Sequence, residues 1–231
     1  MTAKMLDQHK IIVTGGLGAL GREVGAFLAA LGAQVVLVDR APTAVVPDVR
    51  AVLGQVDLTD AASTAAAFNQ AALAMGGLDG LVNVAGGFAW EKVEGGQLST
   101  WDRLYAMNLK TAVVASEQAL PHLLRHPASG IVNVGALAAQ KAATGMAAYA
   151  ASKAGVARLT EAMAEEFKDC GLRVNAVLPS IIDTPANRAD MPAADVSQWV
   201  RPAELAAVIA FLLSDQASAV TGACIPVAGR V

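Results

Sequence analysis

Cysteine is scarce, charge is sparse, and long apolar runs are missing. The 231 residues include two cysteines, Cys170 and Cys224, which stand far apart and form no Cys-x-x-Cys pair. That excludes a disulfide framework and a cysteine-based metal site, and free thiols fit a cytoplasmic protein. Charged residues make up 16%, the net charge is −3, and no run of like charge occurs. A nucleic-acid surface or a basic membrane patch is thereby excluded. No apolar run reaches the roughly eighteen residues of a membrane span. The opening "MTAKMLDQHK" lacks the apolar core of a signal peptide. Neither an internal repeat nor a low-complexity linker divides the chain.

What is abundant is hydrophobic residues, 55% of the chain and largely alanine. That excludes disorder and gives enough apolar surface for one substantial core. Short branched runs alternate with longer helical stretches. Strands are predicted at 10–15, 33–39, 49–57, 79–87, 130–136, 172–179 and about 223–228. Helices are predicted at 19–31, 60–75, 98–125, 145–169 and from Pro202 onward. In the first of these, Leu20, Val24, Phe27, Leu28 and Leu31 form one stripe. The βαβα order predicts one α/β domain over 1–231, a doubly wound parallel sheet flanked by helices. Residues 180–200 read as the one long irregular segment, a candidate substrate lid.

"VTGGLGALG" (13–21) follows a strand and opens a helix. Gly16, Gly18 and Gly21 satisfy Gly-x-Gly-x-x-Gly in the setting that gives the pattern meaning, the first turn of a Rossmann-type unit. The glycines permit a tight turn and close approach of a pyrophosphate, and the helix N-terminus offers free N–H groups. Eighteen residues after Gly21 comes Asp39, at the end of the second strand. A carboxylate there accepts hydrogen bonds from a ribose 2′-hydroxyl and repels a 2′-phosphate, which favours NAD over NADP. Arg40 beside it can pair with a 2′-phosphate and leaves NADP open.

Tyr149 and Lys153, four apart on a predicted helix, share one face. A tyrosine beside an ammonium is suited to proton transfer, because the positive charge favours phenolate.

The glycine loop, the Tyr-x-x-x-Lys helix and the βα order together resemble the short-chain dehydrogenase/reductase superfamily over nearly the whole chain. The resemblance implies a nicotinamide cofactor, with Tyr149 as proton donor and Lys153 tuning it and holding the nicotinamide ribose. Asn108 in "YAMNLK" matches the family's active-site asparagine. The implied cofactor set is Gly15, Gly16, Leu17, Gly18, Leu20 and Gly21 in the loop, Asp39 and Arg40 after the second strand, and Asp57 and Leu58 beside the adenine. Val84, Ala85 and Gly86 of "NVAG", Tyr149 and Lys153, and Pro179, Ile182 and Thr184 of "LPSIIDTP" complete it. Ser180 stands where that last motif has glycine. The family's substrate-holding serine, thirteen residues before the tyrosine, is replaced by Ala136.

A narrower resemblance bears on that loss. "GA…GM…Y…K" and "DTPANRADMPAADVSQW" (183–199) resemble the quinonoid dihydropteridine reductase branch, which lacks the serine and uses NADH. The first reading is therefore a pterin-type reductase, since an already electrophilic substrate needs less help with its developing charge. The alternative is a carbonyl or alcohol oxidoreductase that uses Thr144 or water in the serine's place. A second alternative is a nucleotide-sensing protein without turnover. The family resemblance also implies a homodimer or homotetramer built on the helices around 98–125 and 145–169.

His122 and His126, four apart, have no third ligand nearby, so no metal site is assigned. Ser152 lacks a base to activate it. Glu165, Glu166 and Lys168 read as a solvated face. Trp90 and Trp101 fit either a pocket or simple packing.

Overall fold

The structure, a computed structural model, describes residues 4–231. Its seven strands are β1 (Lys10–Thr14), β2 (Gln34–Val38), β3 (Ala51–Leu53), β4 (Gly80–Asn83), β5 (Gly130–Val134), β6 (Arg173–Pro179) and β7 (Cys224–Val227). All pair in parallel, in the order β3-β2-β1-β4-β5-β6-β7. The helices are α1 (Ala19–Ala30), α2 (Ala61–Met75), α3 (Leu98–Leu104), α4 (Thr111–Leu123), α5 (Ala147–Phe167), α6 (Pro185–Asp190) and α7 (Pro202–Leu213).

Both faces of the sheet are covered, which is why its strands read as unbroken apolar runs. Side chains alternate between two cores. Ile12, Val36 and Val38 pack with Phe68 and Met75 of α2, Ala115 and Leu123 of α4, and Met163 of α5. Ile11, Val13, Val35 and Leu37 pack with Val24 and Leu28 of α1 and Leu205, Ile209 and Leu212 of α7. On α1 the buried stripe is Gly21, Val24, Gly25 and Leu28. Leu20, Phe27 and Leu31, predicted on it, are partly buried at its margins. Gly25 lets α1 settle onto β2, where Leu37 occupies the space that a Cβ there would need.

A polar row crosses the first core. Thr14 and Asn83 are register partners on β1 and β4, and Asn83 and Asn133 on β4 and β5. Asn83 Nδ2 donates to Asn133 Oδ1 at 2.9 Å and to Ser116 Oγ at 3.0 Å. Asn133 Nδ2 donates to Thr160 Oγ1 on α5 at 2.9 Å. Thr14 Oγ1 accepts from Val84 N and Ala85 N. Every member is buried, and no buried side-chain polar atom among the described residues lacks a partner. A row of this kind fixes the height of α5 over the sheet, because sliding the helix would strand buried amides at about 1–3 kcal/mol each.

Several predicted boundaries move. The third strand shrinks from 49–57 to Ala51–Leu53, because it is an edge strand paired only with β2. The stretch 98–125 is not one regular helix: a π-helical turn at Tyr105–Lys110 separates α3 from α4, and α4 ends at Leu123, two residues past its internal Pro121. Residues 180–200 are not irregular throughout. Pro185 opens α6 at its first turn, Thr184 caps it by accepting from Asn187 N, and an isolated bridge joins Ile182 to Val200. Trp199 is buried at the far end of that segment.

At the opposite end of the sheet, buried Arg173 closes α7. Its guanidinium donates to the carbonyls of Leu212 at 2.6 Å and of Leu213 and Ser214 at 3.3 Å. A cation there also meets the negative end of the helix dipole. Arg173→Met is expected to lower stability by about 3 kcal/mol, roughly 6–12 °C in Tm. The cavity described below lies at the other strand ends, so cofactor affinity should be unchanged in the folded variant. Thermal denaturation and nucleotide titration check both.

Candidate active site

The C-terminal ends of β1 and β4 meet where the strand order reverses, the place where an open α/β sheet leaves a crevice. A cavity of about 1780 Å³ opens there. Every nucleotide-site residue predicted from the sequence lines it except Gly16. Gly16 is buried against Leu37, where a Cβ would come within 2.5 Å of the leucine Cβ, so it shapes the loop from behind.

The loop fits a phosphate group by construction. Gly15 holds φ +62, and a Cβ on it would lie 2.8 Å from the Ala85 backbone. A Cβ on Gly21 would lie 2.1 Å from the Gly15 carbonyl. Gly18 caps α1 without a side chain, which leaves the first-turn N–H groups facing the cavity. Asp39 closes the arrangement. Its carboxylate accepts from Leu17 N and from Ala41 N, both at 2.9 Å, so the acid is held against the glycine loop. Asp57 accepts from Thr59 N and Thr59 Oγ1, which holds its carboxyl below the usual carboxylate range. Leu58 beside it is buried.

The other half of the cavity contains Tyr149 and Lys153, on the first two turns of α5. Lys153 is 5% exposed, and its Nζ donates to Val134 O at the end of β5 at 2.8 Å. Burial pushes the ammonium down to about 8. Burial likewise pushes Tyr149 up to about 12. Desolvation outweighs the help that Lys153 was expected to give phenolate, because it opposes charge on both groups. Tyr149 stays protonated at neutral pH, in the form that can donate. Phe88 meets its ring edge-on, with centroids 4.9 Å apart at 81°.

Asn108 does not line the cavity. It is 1% exposed in the π-helical turn, a wide turn that commonly marks functional positions. Its Oδ1 accepts from Gly87 N at 2.8 Å and its Nδ2 donates to Ser152 Oγ at 3.0 Å. Ser152 donates in turn to Tyr149 O. Asn108 thus ties the loop after β4 to the first turns of α5. A Cβ placed on Gly86 would lie 2.7 Å from Asn108 Oδ1 and 3.3 Å from Lys153 Nζ, so these groups share one small volume. Ser152 is a structural link and no nucleophile.

Ala136 lines the cavity and is buried. Thr144, expected as its substitute, is exposed and off the cavity wall. Trp90 lines the cavity and packs on Gly145, whose Cβ would fall 2.2 Å from the indole. Trp101 stays outside on α3. Met191 of the candidate lid also lines the cavity. The sequence reading missed Arg103, Met107 and Lys141 as lining residues. Helical spacing before Asn108 could have signalled the first two, whereas Lys141 comes from a loop without a period. His122 Nε2 donates to Asn69 Oδ1 at 2.9 Å. Among the described residues, no three His, Cys, Asp or Glu side chains cluster as metal ligands, and no helix is long and apolar enough to cross a membrane.

The family model for short chain dehydrogenases matches residues 9–194. Cis-4-hydroxycyclohexanecarboxylate dehydrogenase of Sinomonas cyclohexanicum is 36% identical over 237 residues, 94% of each chain. Meso-2,3-butanediol dehydrogenase of Serratia marcescens is 33% identical over 237 residues, 96% of this chain and 94% of that protein. A short chain dehydrogenase from Burkholderia cenocepacia, solved in complex with NADP, superposes with a TM-score of 0.84 at 27% identity over 97% of this chain and 98% of that one.

The buried ammonium of Lys153 faces a neutral carbonyl and no carboxylate, so it destabilises the protein alone. Its folded pKa of about 8 lies below the ordinary 10.5. The cost is fully present below pH 8 and fades as pH rises toward 10.5, where the unfolded chain also gives up the proton. Lys153→Met is expected to raise Tm at pH 7 by a few degrees. Its advantage over the wild type should shrink between pH 8 and pH 10. Differential scanning fluorimetry across that range checks the sign, and a lower Tm at pH 7 refutes it.

Proposed function

The chain belongs to the short-chain dehydrogenase family, and from that membership we propose that it interconverts a small secondary alcohol and its ketone, with NAD as the hydride partner. It is an NAD(P)-dependent oxidoreductase; the alcohol–ketone substrate and the preference for NAD are the proposed part. The observation that carries the reading is the presence of Tyr149 and Lys153 in the same cavity as the glycine loop and Asp39. Relatives named for a diol and for a hydroxycyclohexane acid support an alcohol carbon as the reacting centre.

The glycine loop and the start of α1 would hold the pyrophosphate, Asp39 the adenosine ribose, and Lys153 the nicotinamide ribose. A bound nicotinamide supplies the hydride acceptor for an alcohol or the hydride donor for a ketone. Tyr149 moves the proton. Its Oη gives a proton to the ketone oxygen in reduction and takes the alcohol proton in oxidation. Lys153, still largely cationic at pH 7, offsets the burial that resists phenolate. Asn108 and Ser152 hold the backbone of Tyr149 in place. The carboxylate of Asp39 repels a 2′-phosphate, and Arg40, exposed beside it, does not cancel that repulsion.

The pterin reading keeps one observation in its favour, the methyl group of Ala136 where a substrate-holding hydroxyl would otherwise stand. The alcohol–ketone reading takes precedence because of the relatives' named substrates. The apolar side chains left exposed on α3 and the following turn, Leu98, Trp101 and Tyr105, support a homo-oligomer.

NAD reduction is to be followed with a panel of secondary and cyclic alcohols, and NADH oxidation with ketones and with quinonoid dihydropterin. Tyr149→Phe should lower kcat on alcohols by about 10²–10⁴ while leaving NADH affinity unchanged. Tyr149-dependent turnover of the dihydropterin alone overturns the alcohol–ketone reading. Asp39→Asn should cut the preference for NAD over NADP by about tenfold, some 1.4 kcal/mol. An unchanged ratio of kcat/KM values refutes the role given to the carboxylate.

A further inference from the structure

We propose that Ser180 supplies the second hydrogen bond to the substrate oxygen, the bond that position 136 cannot give. The proposal rests on the alcohol–ketone reading and extends it. Position 136 lies two residues past the end of β5, on extended backbone, and carries only a methyl group. Its neighbour β6 runs parallel in the register Val134 opposite Val177, and Gly135 N donates to Val177 O at 2.9 Å. Carrying that register onward sets position 136 opposite Pro179 and position 180 one residue further along the same rim. Neighbouring parallel strands lie about 4.8 Å apart. Ala136 and Ser180 therefore stand at the ends of adjacent strands, one residue out of register, and both line the cavity with Tyr149.

The sequence motif at the end of β6 has glycine where this chain has Ser180. Against the pattern that the chain resembles, the hydroxyl stands at the end of β6 and not at the end of β5. Other hydroxyls are otherwise committed. Thr111 donates to Met107 O, Thr184 Oγ1 caps α6, Ser152 donates to Tyr149 O, and Thr144 is off the cavity. Ser180 Oγ donates to Ala228 O at 2.6 Å, in the chain's last residues. A substrate oxygen that gains negative charge is a stronger acceptor than that neutral carbonyl, since charge-assisted bonds are roughly twice as strong. As hydride reaches the carbonyl carbon, the Ser180 hydroxyl turns from Ala228 O to the substrate oxygen. Tyr149 gives its proton to the same atom. No covalent bond to Ser180 forms.

The competing explanation is a tether, in which Ser180 does no more than fasten the C-terminal residues. Four variants separate the two: Ser180→Gly, Ser180→Thr, Ala136→Ser, and Ala136→Ser combined with Ser180→Gly. Each is assayed for kcat and KM on the best alcohol and ketone, for NADH affinity and for Tm. The proposal expects Ser180→Gly to lose about 10²–10³ in kcat with NADH affinity unchanged. Ser180→Thr, which keeps the hydroxyl, should retain most activity. Adding Ala136→Ser to Ser180→Gly should recover at least tenfold, because a hydroxyl returns to the same rim from the adjacent strand. A tether predicts a lower Tm, no recovery by Ala136→Ser, and losses that follow stability. That pattern, or unchanged kcat in Ser180→Gly, overturns the proposal and leaves the alcohol–ketone reading standing. Wild-type protein that turns over no alcohol or ketone overturns both.

Discussion

The amide pair of Asn83 and Asn133 is the constraint on which the site depends. Two asparagines sit in register on neighbouring strands, buried, and each uses the other to satisfy its polar atoms. The second reaches Thr160 and so pins α5. Tyr149 and Lys153 lie two to three turns earlier on that helix, and their position is inherited from this anchor. In an all-apolar core the helix could slide by a fraction of an ångström with little penalty. With buried amides, one position satisfies every donor and the others do not.

A second polar set acts at the near end of α5. Asn108, Ser152 and the Gly87 amide join the loop after β4 to the turn that carries Tyr149. Lys153 itself is held by the end of β5. Tyr149 and Lys153 are therefore fixed by three elements at once: α5, the loop after β4, and β5. That rigidity explains why two ionisable groups can be kept in an environment that opposes their charge. Burial holds Tyr149 protonated and weakens the hold of Lys153 on its proton, while hydrogen bonds fix the Tyr149 backbone and the Lys153 ammonium.

Much of this was legible from residue order alone. Branched runs covered on both faces announce themselves as parallel strands, and a glycine loop between strand and helix has a pattern that tolerates few substitutes. Helical spacing puts Tyr149 and Lys153 on one face, and the family resemblance singles them out. What resisted reading has physical reasons. The π-helical turn at Tyr105–Lys110 interrupts a run whose residue pattern reads as one continuous helix. The edge strand β3 has one partner and ends early. Asn83, Asn133 and Thr160 are polar letters inside apolar stretches, and only the register shows that they meet. Lys153 was expected to draw a proton off Tyr149, but one sequence cannot reveal how completely both are removed from water. Thr144 looked like a hydroxyl near the right place, and its loop turns it outward.

The segment over the cavity has both its stems fastened. Ile182 bridges to Val200, Asp183 N donates to Val200 O, and Arg230 N donates to Gln198 O. Between those stems, residues 183–199 close on themselves. The entropy of closing such a loop grows only slowly with its length, about 0.6 kcal/mol for each doubling. The segment between those stems lies outside the sheet and outside the hydrogen bonds that hold Tyr149 and Lys153. Such a molecule can explore new substrates by drift in one replaceable cassette, while the machinery beneath it is inherited intact.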